Sequence, residues 1–279
     1  NEFCPQGANP WDLIGWRQQQ TGILGIPDDV KPPYNWITKP SRIDEGKPGR
    51  PVISFGGLDE VIPMRKIYSS IMFKDATFIS GGEYACRHTE THLGRALAPI
   101  KYLPTWIEKL TSVVKRFGTN EIVFTHDACY NNATTFAMQE NLEVSFKPVH
   151  ILEYIRNWLR ENKDKIKNQL DMKIAYQGGC TTRFAPRGLM DEIWIDWLLD
   201  IFNLIGVESV DEKRKYTGKS RLCCGAGILK TQRDRALKLQ RINIQDAIDA
   251  GAEVYVFHCP ACTAMMREMC KKMGLKPYY

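Results

Sequence analysis

The chain of 279 residues carries nine cysteines, at positions 4, 86, 129, 180, 223, 224, 259, 262 and 270. Five of them, Cys180, Cys223, Cys224, Cys259 and Cys262, follow one another late in the chain as a single residue, an adjacent pair and a C-x-x-C. A disulfide between neighbours such as Cys223 and Cys224 is strained. The odd count and the lack of a basic-then-apolar leader from Asn1 onward also speak against a disulfide framework. Clustered thiols in a reducing compartment are metal ligands or redox groups. A C-x-x-C at a helix start turns both sulfurs to one side, where the amino end of the helix favours thiolate. Four thiolates close a zinc site, and a fifth finds no vacancy there, whereas an iron–sulfur cluster offers several irons. The count therefore favours a cluster, with a zinc-stabilised module as the alternative.

Alternating strand and helix patterns position these thiols. Before about residue 50 the chain is rich in proline and glycine and reads as an irregular arm with one short helix near Trp11 to Gln20. Strands are expected at 51–55, 121–124, 173–176 and 254–257. Helices are expected up to Phe117 with Gly118 as the stop, then over about 150–168, 189–205 and 231–250, with a last one after Cys259. This order predicts an α/β fold with parallel strands, and each late cysteine falls where a strand gives way to a loop or helix. Ligands collect at that carboxyl edge in open α/β sheets.

The two halves repeat. Residues 118–129 align without a gap on 251–262, with five of twelve positions identical, and 53–58 align on 175–180. Three segments follow: an arm at 1–50, a degenerate repeat at 51–150 and a complete repeat at 151–279. Hydrophobic residues make up 43% and charged residues 25%, which excludes disorder as the main description. The richest apolar stretch, Ile193 to Ile205, is broken by Asp196, Asp200 and Asn203, so no membrane span is expected. The net charge of +6 is spread thinly, without a basic block interleaved with aromatics, so nucleic acid is not an expected partner.

Gly179-Cys180, then Cys223-Cys224-Gly225, then Cys259-Pro260-Ala261-Cys262, resembles the cysteine-rich CCG domain found in the B-type and D-type components of heterodisulfide reductase and in their relatives. The resemblance covers roughly residues 50 to 279, with a longer spacing between Cys180 and Cys223 than the family usually has. It implies one non-cubane 4Fe–4S cluster with Cys180, Cys223, Cys224, Cys259 and Cys262 as its ligands. It further implies an iron–sulfur oxidoreductase subunit acting on disulfides, thiols or protein-bound sulfur. The implied partners are a ferredoxin-like iron–sulfur subunit, a flavoprotein subunit and a thiol/disulfide substrate or sulfur carrier. The implied location is cytoplasmic, with any membrane association made through partners. An electron relay without its own substrate is the nearer alternative. No G-x-G-x-x-G fingerprint appears, so electrons must come from a partner.

The first repeat departs from this pattern. Leu58 stands opposite Cys180, Ser80-Gly81-Gly82 opposite Cys223-Cys224-Gly225, and His126 opposite Cys259; only Cys129 keeps its place, opposite Cys262. One cluster is therefore expected, not two. Cys86, His88, His92, His126 and Cys129 supply donors without a recognisable metal spacing and read as remnants lining a cleft. The alignment nominates His126 as a proton donor for a leaving thiolate. Cys4-Pro5 resembles the end of a ferredoxin motif, the tail of an upstream module, or else a surface cysteine. Cys270 reads as a buried neutral thiol. Arg183, Arg187 and Arg221 read equally as solvated surface or as an electropositive rim.

Overall fold

The computed structural model describes residues 10–22, 39–57, 64–93, 95, 97–180 and 193–279. These fall into two compact units, one ending at Ile151 and the other beginning at Leu152. The predicted α/β class holds: each unit is a sheet of mainly or wholly parallel strands accompanied by helices.

In the first unit, helix α1 (Pro10–Thr21) precedes strands β1 (Arg42–Asp44) and β2 (Val52–Gly56), helix α2 (Met64–Tyr68) and strand β3 (Thr77–Ser80). Helix α3 (Leu97–Phe117), β4 (Glu121–Phe124), helices α4 (Asp127–Asn131) and α5 (Ala137–Gln139), and β5 (Lys147–His150) complete it. A π-helical turn at Asn132–Phe136 joins α4 to α5. The sheet runs β1-β3-β2-β4-β5, and only β1 is antiparallel. Thus part of the expected irregular arm is a strand: Arg42, Ile43 and Asp44 pair with Ser80, Ile79 and Phe78. β2 is buried throughout, as is β4 from Ile122 on, which is why they read as short continuous apolar runs. Against them α3 buries Leu103, Trp106, Ile107, Leu110, Val113, Val114 and Phe117 at helical spacing. The helix ends as expected at Gly118: Thr119 N–H donates to the Val114 carbonyl and Gly118 N–H to that of Lys115.

The second unit opens with α6 (Ile151–Glu161) and β6 (Met172–Gln177). Helix α7 (Ile193–Ile205), β7 (Val207–Ser209), α8 (Arg233–Asp249), β8 (Val254–Phe257), α9 (Pro260–Lys272) and β9 (Lys276–Tyr278) follow. The sheet runs β7-β6-β8-β9, all parallel. The helix expected over 150–168 is shorter at both ends. His150 belongs to β5, opposite Phe124, and Asn162 leaves helical geometry while its side-chain amide bonds the Trp158 carbonyl. Tyr255, Phe257, Ile244, Ala247, Met266 and Cys270 pack with Cys224, Cys259 and Cys262 into one buried cluster. The cysteines are therefore held in the packed interior between the sheet and α8 and α9.

Candidate metal centre

The C-x-x-C sits where β8 ends. Cys259 is extended (φ −93°, ψ 118°) and caps α9, Pro260 takes the first helical position, and Cys262 lies in the first turn. Proline suits that position because its missing N–H would have no intrahelical partner. Thr263 ties the turn down through its hydroxyl, 3.1 Å from the Cys259 carbonyl.

The adjacent pair lies on a loop with two buried anchors. Gln177, the last residue of β6, donates its amide to the Leu222 carbonyl at 3.1 Å; Gln240 on α8 donates to the Cys224 carbonyl at 2.9 Å. Gly225 then turns the chain at φ +81°, and a Cβ there would meet that of Ala236 at 2.8 Å. Both the left-handed backbone and the close approach of α8 require glycine. Its N–H donates to the Cys223 sulfur at 3.3 Å.

Cys180 follows Gly178-Gly179 at the carboxyl end of β6. Arg221 joins this loop to the pair: its guanidinium donates to the Gly179 carbonyl at 2.7 Å and to that of Gly218 at 3.2 Å. Arg221 is 8% exposed, so it is a buried strut rather than part of a solvent-facing rim. Arg183, Arg187, Cys4 and Leu58 lie outside the described residues.

The sulfurs interact. Hydrogen bonding with Cys224 and Cys259, then burial, pushes the Cys262 thiol well up. Cys223 is pushed up by its hydrogen bond with Cys224, then by burial, with a contribution from Cys180. Cys224, Cys259 and Cys262 are buried and Cys180 is half-buried, while Cys223 is exposed. Like charges so close cannot all ionise unaided. A multivalent cation removes that obstacle, because coordination deprotonates thiols outright. The donor set, all sulfur and five strong, fits an iron–sulfur centre. Cys270 is fully buried in the same core, pushed up to about 12 by burial, as expected for a neutral thiol.

Several supporting residues carried no signal in the sequence. Arg214 has no exposed side-chain surface and donates to the Tyr176 carbonyl at 2.9 Å, Asp211 at 2.8 Å, the Tyr255 hydroxyl at 2.9 Å, Asn243 at 3.1 Å and Asp246 at 3.3 Å. Tyr255 and Asn243 in turn donate to the Gln177 side-chain oxygen at 2.8 and 2.7 Å. The chain of bonds thus runs from Arg214 to the carbonyl just before Cys223. His258, directly before Cys259, stacks on Tyr176 and is bonded at Nδ1 by the Tyr176 hydroxyl.

In the first unit, His126 caps α4 and Cys129 lies in its first turn. The Cys86 and Cys129 sulfurs are 3.2 Å apart, both buried, and His126 is hydrogen-bonded to Cys86. Cys86, Cys129 and His126 are therefore brought together. His88 approaches the same thiol through its backbone N–H, and the side chain of His92 is outside the described residues.

The second unit is thus an α/β unit that gathers buried thiols at the carboxyl edge of a parallel sheet, an arrangement that suits a thiophilic centre. Residues 174–267 match the family model described as CCG, the cysteine-rich domain, a span that contains all five late cysteines. The chain is 24% identical over 157 residues to the D component of the dihydromethanophenazine:CoB–CoM heterodisulfide reductase of Methanosarcina acetivorans. That match takes in 53% of this chain and 36% of the relative, so the chain spans about a third of that protein. The chain therefore contains a CCG cysteine-rich domain and is similar to a heterodisulfide reductase component, and both matches support an iron–sulfur, redox-related role. In fold, a hypothetical protein from Helicobacter pylori is similar, with a TM-score of 0.52 at 13% identity, over 97% of this chain and 52% of that one. Among the described residues no helix is long and apolar enough to cross a membrane.

Proposed function

We propose that the chain is an iron–sulfur oxidoreductase subunit of a heterodisulfide reductase-like complex, holding one non-cubane 4Fe–4S cluster on Cys180, Cys223, Cys224, Cys259 and Cys262. What supports this reading is the packing of Cys224, Cys259 and Cys262 into one buried cluster at the strand ends, with the Cys223 thiol raised first by Cys224, then by burial, and also by Cys180. A bound cluster would pass electrons singly and bind a substrate sulfur, which suits a disulfide reaction that moves two electrons over two sulfurs. The chain's own residues do the rest. Gln177, Gln240 and Arg214 fix the loop that carries the pair, Arg221 fixes the loop that carries Cys180, and the α9 cap sets Cys259 and Cys262. Burial of Cys224, Cys259 and Cys262 keeps water from that side.

The substrate class is thiol/disulfide or protein-bound sulfur, with electrons exchanged through a ferredoxin-like subunit and a flavoprotein beyond it, in the cytoplasm. The reading extends to His126 as proton source for a leaving thiolate, on the alignment that sets it opposite Cys259; unchanged turnover and pH dependence in His126→Ala would remove that part. A change in the cluster spectrum on adding a small thiol to anaerobic protein supports chemistry at an open iron. An unresponsive spectrum leaves an electron relay, and colourless protein with bound zinc leaves a scaffold.

A further inference from the structure

We propose that Cys86 and Cys129 of the first unit are a redox dithiol that a hydroperoxide closes to a disulfide. The inference does not depend on the reading of the second unit. Its basis is geometric. The two sulfurs lie 3.2 Å apart, inside the sum of two sulfur radii and about an ångström from bonding distance. They come from different elements, Cys86 from the loop after β3 and Cys129 from the first turn of α4, so nothing local forces them together. Each is held: Asn132 donates its amide to the Cys86 carbonyl at 3.0 Å, and the Cys129 N–H donates to the His126 carbonyl at 3.1 Å.

The two thiols are also unlike. Hydrogen bonds from Cys129, His126 and the His88 N–H pull Cys86 down to about 5, against burial; the same contact and burial push Cys129 well up. At neutral pH the pair is one thiolate beside one thiol, the nucleophile and the resolving partner that such chemistry needs. The fit is to a small oxidant. Cys86 is 6% and Cys129 3% exposed, which bars in-line approach by a bulky disulfide. A cavity of about 350 Å³ has in its wall His88 and Asn132, which bond the Cys86 sulfur and carbonyl. The Cys86 thiolate attacks the peroxide O–O bond; one oxygen stays on sulfur as a sulfenic acid and the other leaves as alkoxide or hydroxide, which takes a proton from solvent to become alcohol or water. Cys129 then attacks the sulfenic sulfur, the S–S bond forms, and the Cys129 proton leaves with the hydroxyl as water. Two electrons pass from the two sulfurs to the peroxide. His126 is here a positioning residue for the thiolate.

The test uses the full chain purified without oxygen, treated with one equivalent of hydrogen peroxide, then alkylated and digested without reductant. The expected product is a peptide pair linked through Cys86 and Cys129, two hydrogens lighter than the reduced peptides and separated by a phosphine. In Cys129→Ser, Cys86 should be trapped as a sulfenic acid by dimedone. Alkylated Cys86 and Cys129 in peroxide-treated protein whose Cys270 or Cys4 is oxidised would overturn the proposal. So would one zinc per chain that shields both thiols until a chelator removes it. Neither result alters the iron content expected of the second unit, so the two readings fail separately.

Discussion

The two units use one scaffold with different numbers of sulfurs. The central strand order of the first, β3-β2-β4-β5, is that of the second, β7-β6-β8-β9. In both, the strand after the central one leads into a helix whose first turn holds a cysteine, Cys129 on α4 and Cys262 on α9. The helix caps differ: His126 in one, Cys259 in the other. The loop after the neighbouring strand also sends a sulfur to that cysteine in each, Cys86 to Cys129 and Cys224 to Cys262. Sequence alignment set Ser80-Gly81-Gly82 opposite the pair, whereas in the fold it is Cys86 that makes the equivalent contact. What an edge can hold is thus decided by sulfur count and charge. Two thiols settle their charge between themselves, one ionised and one not. Five so close could all ionise only with a multivalent cation among them.

That contrast is most directly broken by exchanging equivalent sulfurs. Cys262→Ser should abolish iron loading, while Cys129→Ser should leave it intact, both read by iron per chain and visible absorption. Equal losses would erase the distinction. Next in size, Arg214→Met leaves Asp246 and Asp211 buried or half-buried without their cation. It should cost about 3–5 kcal/mol of stability by denaturant unfolding and lower iron loading as the Cys223 loop loosens. Gly225→Ala forces a side chain into a left-handed turn against Ala236. About 1–3 kcal/mol is expected, with a matching drop in cluster retention. The same substitution at a left-handed glycine of the first unit, Gly56 (φ +54°), should leave iron unchanged.

The smallest expected effect is a pH dependence confined to the first unit. Cys86 is depressed from 9.0 to about 5, so between those values the unfolded chain binds one more proton than the native one. Its contribution to stability is full above about 9 and is lost as pH falls towards 5. Cys129, being raised, adds the opposite slope above about 9, where only the unfolded chain releases its proton. The stability difference between anaerobic wild type and Cys86→Ser should therefore grow with pH up to about 9. A flat difference would mean that Cys86 is not ionised.

The spacing of the late cysteines made their common edge legible, because strand ends and a C-x-x-C at a helix start are local signals. β2, β4, β6 and β8 were legible as short apolar runs, and α3 through its helical spacing and Gly118. Strands β1, β3, β5, β7 and β9, of three or four residues each, were not. Arg42, Lys147 and Lys276 show how polar such strands are, and only their pairing reveals them. Arg214, Gln177, Gln240 and Asn243 were invisible for a different reason. Buried polar residues owe their role to partners distant in the chain, and their types alone point to solvent. The Cys86–Cys129 contact was hidden in the same way, since no spacing joins the two positions.

A single iron–sulfur cluster on the five cysteines of the second unit is most directly tested by metal and sulfide analysis. Iron and acid-labile sulfide should be measured per chain on protein isolated and assayed without oxygen, for wild type and for the chain lacking both Cys86 and Cys129. About four of each are expected in both proteins. Zinc without sulfide, or iron that disappears with Cys86 and Cys129, would contradict the single cluster.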